Sequence, residues 1–415
     1  MGIFDLAACL ITLAAVFGYV NQRFIKLPTT IGVMLISLFF SMVLIVLSLI
    51  NPHVVEVAAG FVGQIEFDKA VLDCMLSFLL FAGALHVDLN DLANQKRLIA
   101  ALASVGVVIS TFIIGTVVYY LTGAFELNFS YAYCLVFGAL ISPTDPVAVL
   151  GILKKVGVSK SLETKITGES LFNDGIGVVV FLAILGIATG ENEGSFGAIA
   201  HLFLLEAGGG VLLGGVFGFA AYFLLKTIDN YQVEVLITLA LVMGVYSLAM
   251  SLHMSGPLAM VVAGLMIGNH GRRLAMSNVT RQHLDKFWEL IDEVLNAVLF
   301  VLIGLELLVL QISGQSLLLG SLAIPIMLGA RMIAVALPIS ILKRFRKFSK
   351  GVVPILTWGG LRGGISVALA LAIPGGPERD VFLTMTYVVV IFSIAVQGLT
   401  LRPLIKRVSP ENVTV

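Results

Sequence analysis

Apolar residues in this chain run in near-continuous blocks of about 20, rather than recurring with the period of a half-buried helix or strand. Thirteen such segments can be drawn, over residues 3–21, 29–50, 70–87, 98–122, 130–153, 165–188, 197–225, 233–252, 256–269, 287–310, 317–341, 351–373 and 380–401. A helix of about 20 residues covers about 30 Å of hydrocarbon. The pattern therefore predicts an all-α polytopic membrane protein of about thirteen crossings. Apolar sequence starts at Ile3 with no basic stretch before it, which predicts a retained first helix and no cleaved signal.

Composition agrees and excludes a soluble fold. Of the 415 residues, 59% are hydrophobic and 12% charged, against about 25% charged in soluble domains. The net charge of zero gives no long-range field toward nucleic acid. Cys9, Cys74 and Cys134 lie inside apolar runs with no zinc or redox spacing and are read as small buried hydrophobes. The six histidines sit at segment ends or in loops and form no ligand cluster.

Charge sets the orientation. Alternate connections carry 21 of the 25 basic residues; the other connections hold only Lys69 and Arg379, and Arg331 and Arg362 fall inside apolar segments. The positive-inside rule then places the N-terminus in the periplasm and the C-terminus in the cytoplasm. An odd number of crossings also accommodates two inverted six-helix repeats, about 1–190 and 233–403, with a connector helix at about 197–226 and a short cytoplasmic tail at 404–415. The whole is one transmembrane domain. The fifth segment is interrupted at Ser142-Pro143-Thr144-Asp145-Pro146, and the twelfth at Trp358-Gly359-Gly360-Leu361-Arg362-Gly363-Gly364. Paired interruptions at corresponding places point to a transporter's binding site, where discontinuous helices cross near the midplane.

A charge at the centre of a spanning helix costs roughly 2.5–3.5 kcal/mol on insertion scales. Asp145, Glu169, Asp174, Arg331 and Arg362 bear that cost and must pair, bind an ion or line a wet cavity. Glu206, in the seventh segment, is a weaker case. Ser170 and Asp174 are four apart on one helix and share a face, with Glu169 and Asn173 on the adjacent stripe. A hydroxyl and a carboxylate are hard oxygen ligands, suited to Na⁺ or a similar ion. Unwinding at Pro143 and Pro146 frees carbonyls such as that of Thr144. Asp145 has two readings: it contacts the ion, or it neutralises the helix N-termini aimed at the midplane. Glu169 and Arg331 are read as a buried structural ion pair. Arg362 is placed to balance half-helix carbonyl ends or Asp145. Three negative and two positive charges leave one net negative, which suits one Na⁺ or one H⁺.

Ser142-Pro-Thr-Asp-Pro-Val-Ala-Val149 resembles the fifth helix of bacterial NhaP-type monovalent cation:proton antiporters, and Glu169-Ser-Leu-Phe-Asn-Asp174 resembles their sixth-helix signature. The stretch from Asn296 to Glu306, Arg331, and Gly360-Leu-Arg-Gly363 follow the family pattern in order, so the resemblance spans nearly the whole chain. Related eukaryotic sodium/proton exchangers carry long cytoplasmic tails, whereas little follows Arg402 here. The resemblance implies a homodimer of thirteen-helix subunits in a bacterial inner membrane, each with a core and a scaffold. It implies Na⁺ (or Li⁺)/H⁺ exchange, electroneutral by virtue of the Asn173-Asp174 pair, with Asp174 as the shared ion and proton carboxylate and Ser170, Thr144 and Asp145 around the Na⁺. Some members have a glutamate in the third helix where this chain has Ala82. No cofactor is implied beyond the transported ions, and the partners are a monovalent cation, the proton and membrane lipid. A K⁺/H⁺ antiporter is the nearest alternative. A channel lacks the continuous polar lining it would need. A hydrolase lacks a histidine beside Ser170 or a zinc set, so no enzymatic activity is expected.

Overall fold

The structure is a computed structural model that describes residues 3–48, 50–63, 67–156, 158, 160–191, 196–272, 276–310, 312–344, 348 and 351–408. Arg273, Arg346, Lys347 and Lys350, part of the charge pattern above, lie outside the described residues, as does the tail from 409 to 415.

The described residues fold as helices. α1 (Ile3–Val20) and α2 (Thr29–Ser48) are joined by a π-helical turn, and the short α3 (Pro52–Val62) follows. α4 covers 67–85, α5 is Leu89–Ala124, and the interrupted fifth span is α6 (Tyr131–Leu140) plus α7 (Val147–Val156). Then come α8 (Lys160–Ala188), α9 (Phe196–Lys226), α10 (Tyr231–Ser251), α11 (Gly256–Met266), α12 (Asn278–Glu306) and α13 (Gly314–Leu342). The interrupted twelfth span is α14 (Val352–Trp358) plus α15 (Gly364–Leu371), and α16 (Pro377–Val408) is last. Eight of these helices are long and apolar enough to cross a membrane unaided. With α4, α11, α12 and the two interrupted pairs they make the thirteen expected segments, and α3 is additional.

Hydrophobicity alone misplaces several ends. The segment expected from 165 starts at Lys160, and the one expected from 287 starts at Asn278. Both extensions are charged helical turns that lie beyond an apolar span. Several helix starts are set instead by caps. Ser130, Asn230, Ser255, Ser277 and Ser313 each accept a backbone N–H of the first turn that follows, which satisfies donors with no partner inside the helix. α3 begins the same way, with Asn51 accepting from His53 N and Pro52 at the first position. Of the cysteines expected to be buried, Cys134 is buried and Cys9 partly so, but Cys74 is exposed on α4. Apolar side chains of a span face lipid as readily as they face protein.

The helices sort into two bundles. In one, α2 and α1 pack on α12, α11 packs on α4 and α9, and α10 packs on α9, α11 and α12. In the other, α5 packs on α6 and α13, α8 on α5 and α6, α13 on α14 and α16, and α15 on α16. The second bundle contains both interrupted spans and is called the core below; the first is the scaffold. They meet where α8 touches α4, α9 and α11, and where α15 touches α4 and α12. Small residues let helices approach within each bundle. Ser37 and Ser41 of α2 donate to the carbonyls of Val301 and Gly304 on α12, at 2.9 and 2.7 Å.

In the core, α5 and α6 approach backbone to backbone. A Cβ on Gly138 would collide with the Thr111 carbonyl oxygen and come within 3.0 Å of Gly115 N. Both obstacles are backbone, so the helices themselves must move apart. Gly138→Ala is expected to destabilise the protein by about 1–3 kcal/mol, the usual cost of overpacking. Gly123→Ala, with nothing within 4 Å, is expected to be neutral. Thermal unfolding followed by size exclusion in detergent compares the two.

Candidate functional site

The two interrupted spans cross, and their unwound backbones are bonded to each other. The Asp145 N–H donates to the Leu361 carbonyl at 2.8 Å. From the twelfth span, Arg362 Nη1 donates to the carbonyls of Ser142 and Pro143 at 2.5 and 2.6 Å. Of the two roles open to Arg362, the structure shows it on the half-helix carbonyl end of α6. The guanidinium is fully buried (0% exposed), and among the described residues its Nε and Nη2 make no hydrogen bond. Its own backbone N–H donates to Ser393 Oγ at 2.8 Å, and Gln397 Nε2 donates to the Trp358 carbonyl at 2.9 Å, so α16 holds the second crossing from behind.

The glycines of the second crossing are there for clearance. A Cβ on Gly363 would collide with the Asp145 carboxylate, and one on Gly360 would lie 2.7 Å from Arg331 Nε.

α8 supplies the remaining contacts. Asn173 Oδ1 accepts from Thr144 N at 3.3 Å, while its Nδ2 donates to Thr144 Oγ1 at 2.9 Å. Ser170 Oγ donates to the Thr144 carbonyl. The Thr144 carbonyl is therefore released from its helix but already accepts the Ser170 hydroxyl, and both ends of the Asn173 amide are committed to Thr144. One turn of α8 thus grips the unwound strand at three atoms. Arg331 of α13 makes a bidentate pair with Glu169, Nη1 to Oε1 and Nη2 to Oε2 at 3.0 Å, and Nη2 also donates to the Leu356 carbonyl at 3.2 Å. That pair ties α13 to α8 and to the end of α14.

Asp174 differs from its neighbours. It is 5% exposed, its electrostatic neighbours are Asp145 and Arg362, and among the described residues nothing donates a hydrogen bond to its carboxylate. It faces a cavity of about 550 Å³. The cavity runs from Pro28, Asp88 and Lys160, at the end bearing the basic connections, to Asp145, Asp174 and Asn296. Its walls come from the core on one side (α7, α8, α15) and from the scaffold on the other (α2, α4, α12).

Ala82, buried on α4, lines the cavity and brings no carboxylate to it. His86, one turn on, also lines it, and its Nδ1 lies 2.8 Å from the Ala82 carbonyl, an acceptor, so that nitrogen carries the proton. Glu206 lies on α9, outside the cavity wall. The cavity face of α12, which carries Glu289, Asp292, Glu293 and Asn296, was not anticipated from the sequence. Its signal was there, in polar residues at i, i+3, i+4 and i+7 running into an apolar span.

Residues 11–407 match the family described as sodium/hydrogen exchanger, transmembrane. The chain is similar to the Na⁺/H⁺ antiporter NhaP of Pseudomonas aeruginosa, 52% identical over 97% of this chain and 96% of that one. It is also similar to the Na⁺/H⁺ antiporter NhaH of Halobacillus dabanensis, 36% identical over 93% of each. Among solved structures, the sodium proton antiporter MjNhaP1 of Methanocaldococcus jannaschii superposes with a TM-score of 0.75 over 97% of this chain and 98% of that one. At 19% identity this last likeness speaks for the fold.

Removing one partner of a buried ion pair leaves an uncompensated charge and costs about 3–5 kcal/mol. Glu169→Gln and Arg331→Met are each expected to lower the folded yield sharply, and the double variant to recover part of it. A double variant worse than the two losses combined would show that the pair is not the unit that matters.

Proposed function

Because the chain belongs to the sodium/hydrogen exchanger family, we propose that it is a secondary transporter of the bacterial inner membrane, exchanging Na⁺ or Li⁺ for H⁺ one for one at Asp174. The observation that carries this reading is the Asp174 carboxylate. It lies deep in the protein at the end of a cavity, with no described donor bonded to it. A buried carboxylate without a protein donor needs a positive ligand from the cavity, and Na⁺ and H⁺ both qualify. The names of the relatives support Na⁺ as the cation.

The surrounding groups divide the work. Ser170, the Thr144 carbonyl and Asp145 stand near Asp174 as the other oxygens for a desolvated cation. Asn173 holds Thr144 in place. Glu169 and Arg331 neutralise each other and drop out of the charge count. Arg362 offsets one of the two aspartates, which leaves a single negative charge for a single cation or proton. Protonation of Asp174 removes the charge that binds Na⁺, so each passage carries one ion or the other. The core moves against the scaffold to expose the site in turn to each side. With the N-terminus periplasmic and the C-terminus cytoplasmic, the cavity faces the cytoplasm. Two subunits associate through the scaffold as a homodimer.

Asp174→Asn is expected to abolish Na⁺- and Li⁺-dependent proton flux in proteoliposomes while leaving a folded protein; substantial transport by that variant would remove the assignment. Transport of K⁺ but neither of the others would favour the K⁺/H⁺ reading. One-for-one exchange moves no net charge, so the electrical work of about 2.3 kcal/mol per charge per 100 mV cancels. Exchange rates measured at potentials clamped with K⁺ and valinomycin are expected to be independent of the potential. A clear dependence would require a second titrating group, with Asp145 the first to test.

A further inference from the structure

The cavity face of α12 has no part in the exchange chemistry above, yet it stands on the scaffold wall of the same cavity as Asp174. Glu289, Asp292, Glu293 and Asn296 form one stripe along it, rising about 10 Å from the first to the last at 1.5 Å per residue. Carboxylates alone would be no more than an acidic lining. Asn296 is a different observation. It is 2% exposed, and its Nδ2 donates to the Asp292 carbonyl at 2.8 Å. A carbonyl can only accept, so that bond fixes the amide with nitrogen on its own helix and Oδ1 turned away from it. Among the described residues no donor reaches Oδ1. Asn296 lines a cavity built around anionic groups, and an acceptor there that takes no protein donor is open to a cation entering the cavity. Ala82, which lines the same cavity, brings no side-chain oxygen to it.

We propose that Asn296 Oδ1, with the Asp292 carboxylate one turn nearer the cavity mouth, is a second subsite for the transported monovalent cation, occupied between the mouth and Asp174. An amide oxygen, a carboxylate and cavity water form a hard-oxygen set for Na⁺ or Li⁺. The set is weak enough to hand the ion on, as a multi-site pathway requires. The inference rests on the reading of Asp174 as the exchange site. It adds that the scaffold, and not only the moving core, takes part in selecting the cation.

The test is the apparent KM for Na⁺ and Li⁺ in proteoliposomes, together with Na⁺ binding by titration calorimetry on protein in nanodiscs. Asn296→Leu keeps the volume and removes the oxygen. It is expected to raise the apparent KM for Na⁺ about tenfold, as loss of one oxygen contact to a charged ligand implies. Asn296→Asp, which keeps the shape and adds charge, is expected to lower it and to change the Na⁺:Li⁺ ratio. Weak Na⁺ binding is expected to persist in Asp174→Asn and to vanish in Asp174→Asn/Asn296→Leu. KM values within twofold of wild type in the folded variants would overturn the subsite; if Asn296→Leu does not fold, an unchanged Asn296→Asp does so by itself. Failure of the exchange reading shows elsewhere, in transport by Asp174→Asn or in a wild-type protein that exchanges no cation.

Discussion

Where a span unwinds inside hydrocarbon, no water reaches the released N–H and C=O groups, and each one left bare costs several kcal/mol. Two spans of this protein unwind, between α6 and α7 and between α14 and α15, and the arrangement of the core follows from finding partners for what they release. Asp145 N–H turns to Leu361, the carbonyls of Ser142 and Pro143 take the Arg362 guanidinium, and Thr144 takes Asn173 and Ser170. Ser393 and Gln397 of α16 do the same for the second crossing. The partners come from α8, from α16 and from the opposite break, so the crossing binds α6, α8, α14, α15 and α16 into one body. The Glu169–Arg331 pair adds α13 to it.

The scaffold is held differently. Its close contacts are made by small residues that let backbones touch, such as Gly304 beside Ser37, Gly264 beside Phe81 and Gly268 beside the Leu85 carbonyl. The polar bonds of the crossing stay inside the core, and those of Ser37 and Ser41 stay inside the scaffold. Two bodies, each tied internally and sharing a cavity at their seam, are what a rocking-bundle exchanger requires.

Much of the fold was legible because hydrocarbon thickness imposes a length on every span. The two interruptions could be read directly, since a charge beside a proline or glycine run inside a membrane is too costly to persist without a partner or a ligand. Helix ends beyond the hydrocarbon were not readable from hydropathy; Asn278 and Lys160 begin polar turns, the first of them set by the Ser277 cap. At the site, helical spacing put Ser170 and Asp174 on one face with Asn173 on the adjacent stripe, but it could not say which groups were already engaged. That Asn173 uses both ends of its amide on Thr144, and that Arg362 goes to the α6 carbonyls, depends on contacts between residues far apart in the chain. The acidic stripe of α12 was in plain view as a helical pattern. What it faces is a property of how two bundles meet.

The hydrogen bond from Ser170 to the Thr144 carbonyl bears on what happens when no metal ion rides in the site. Two oxygens proposed as cation ligands repel each other once the cation leaves, unless a proton lies between them. Here the serine hydroxyl supplies that proton. A cation entering between the two must turn the hydroxyl away, and its departure lets the hydroxyl swing back. With a proton on Asp174 and the hydroxyl closed on Thr144, the site has neither an orphan lone pair nor an uncompensated charge. In the exchange cycle proposed above, the core that has released its cation returns in this closed form. In the same proposed cycle, a core with Asp174 ionised and the hydroxyl closed carries one bare charge and pays the cost of a charge in hydrocarbon.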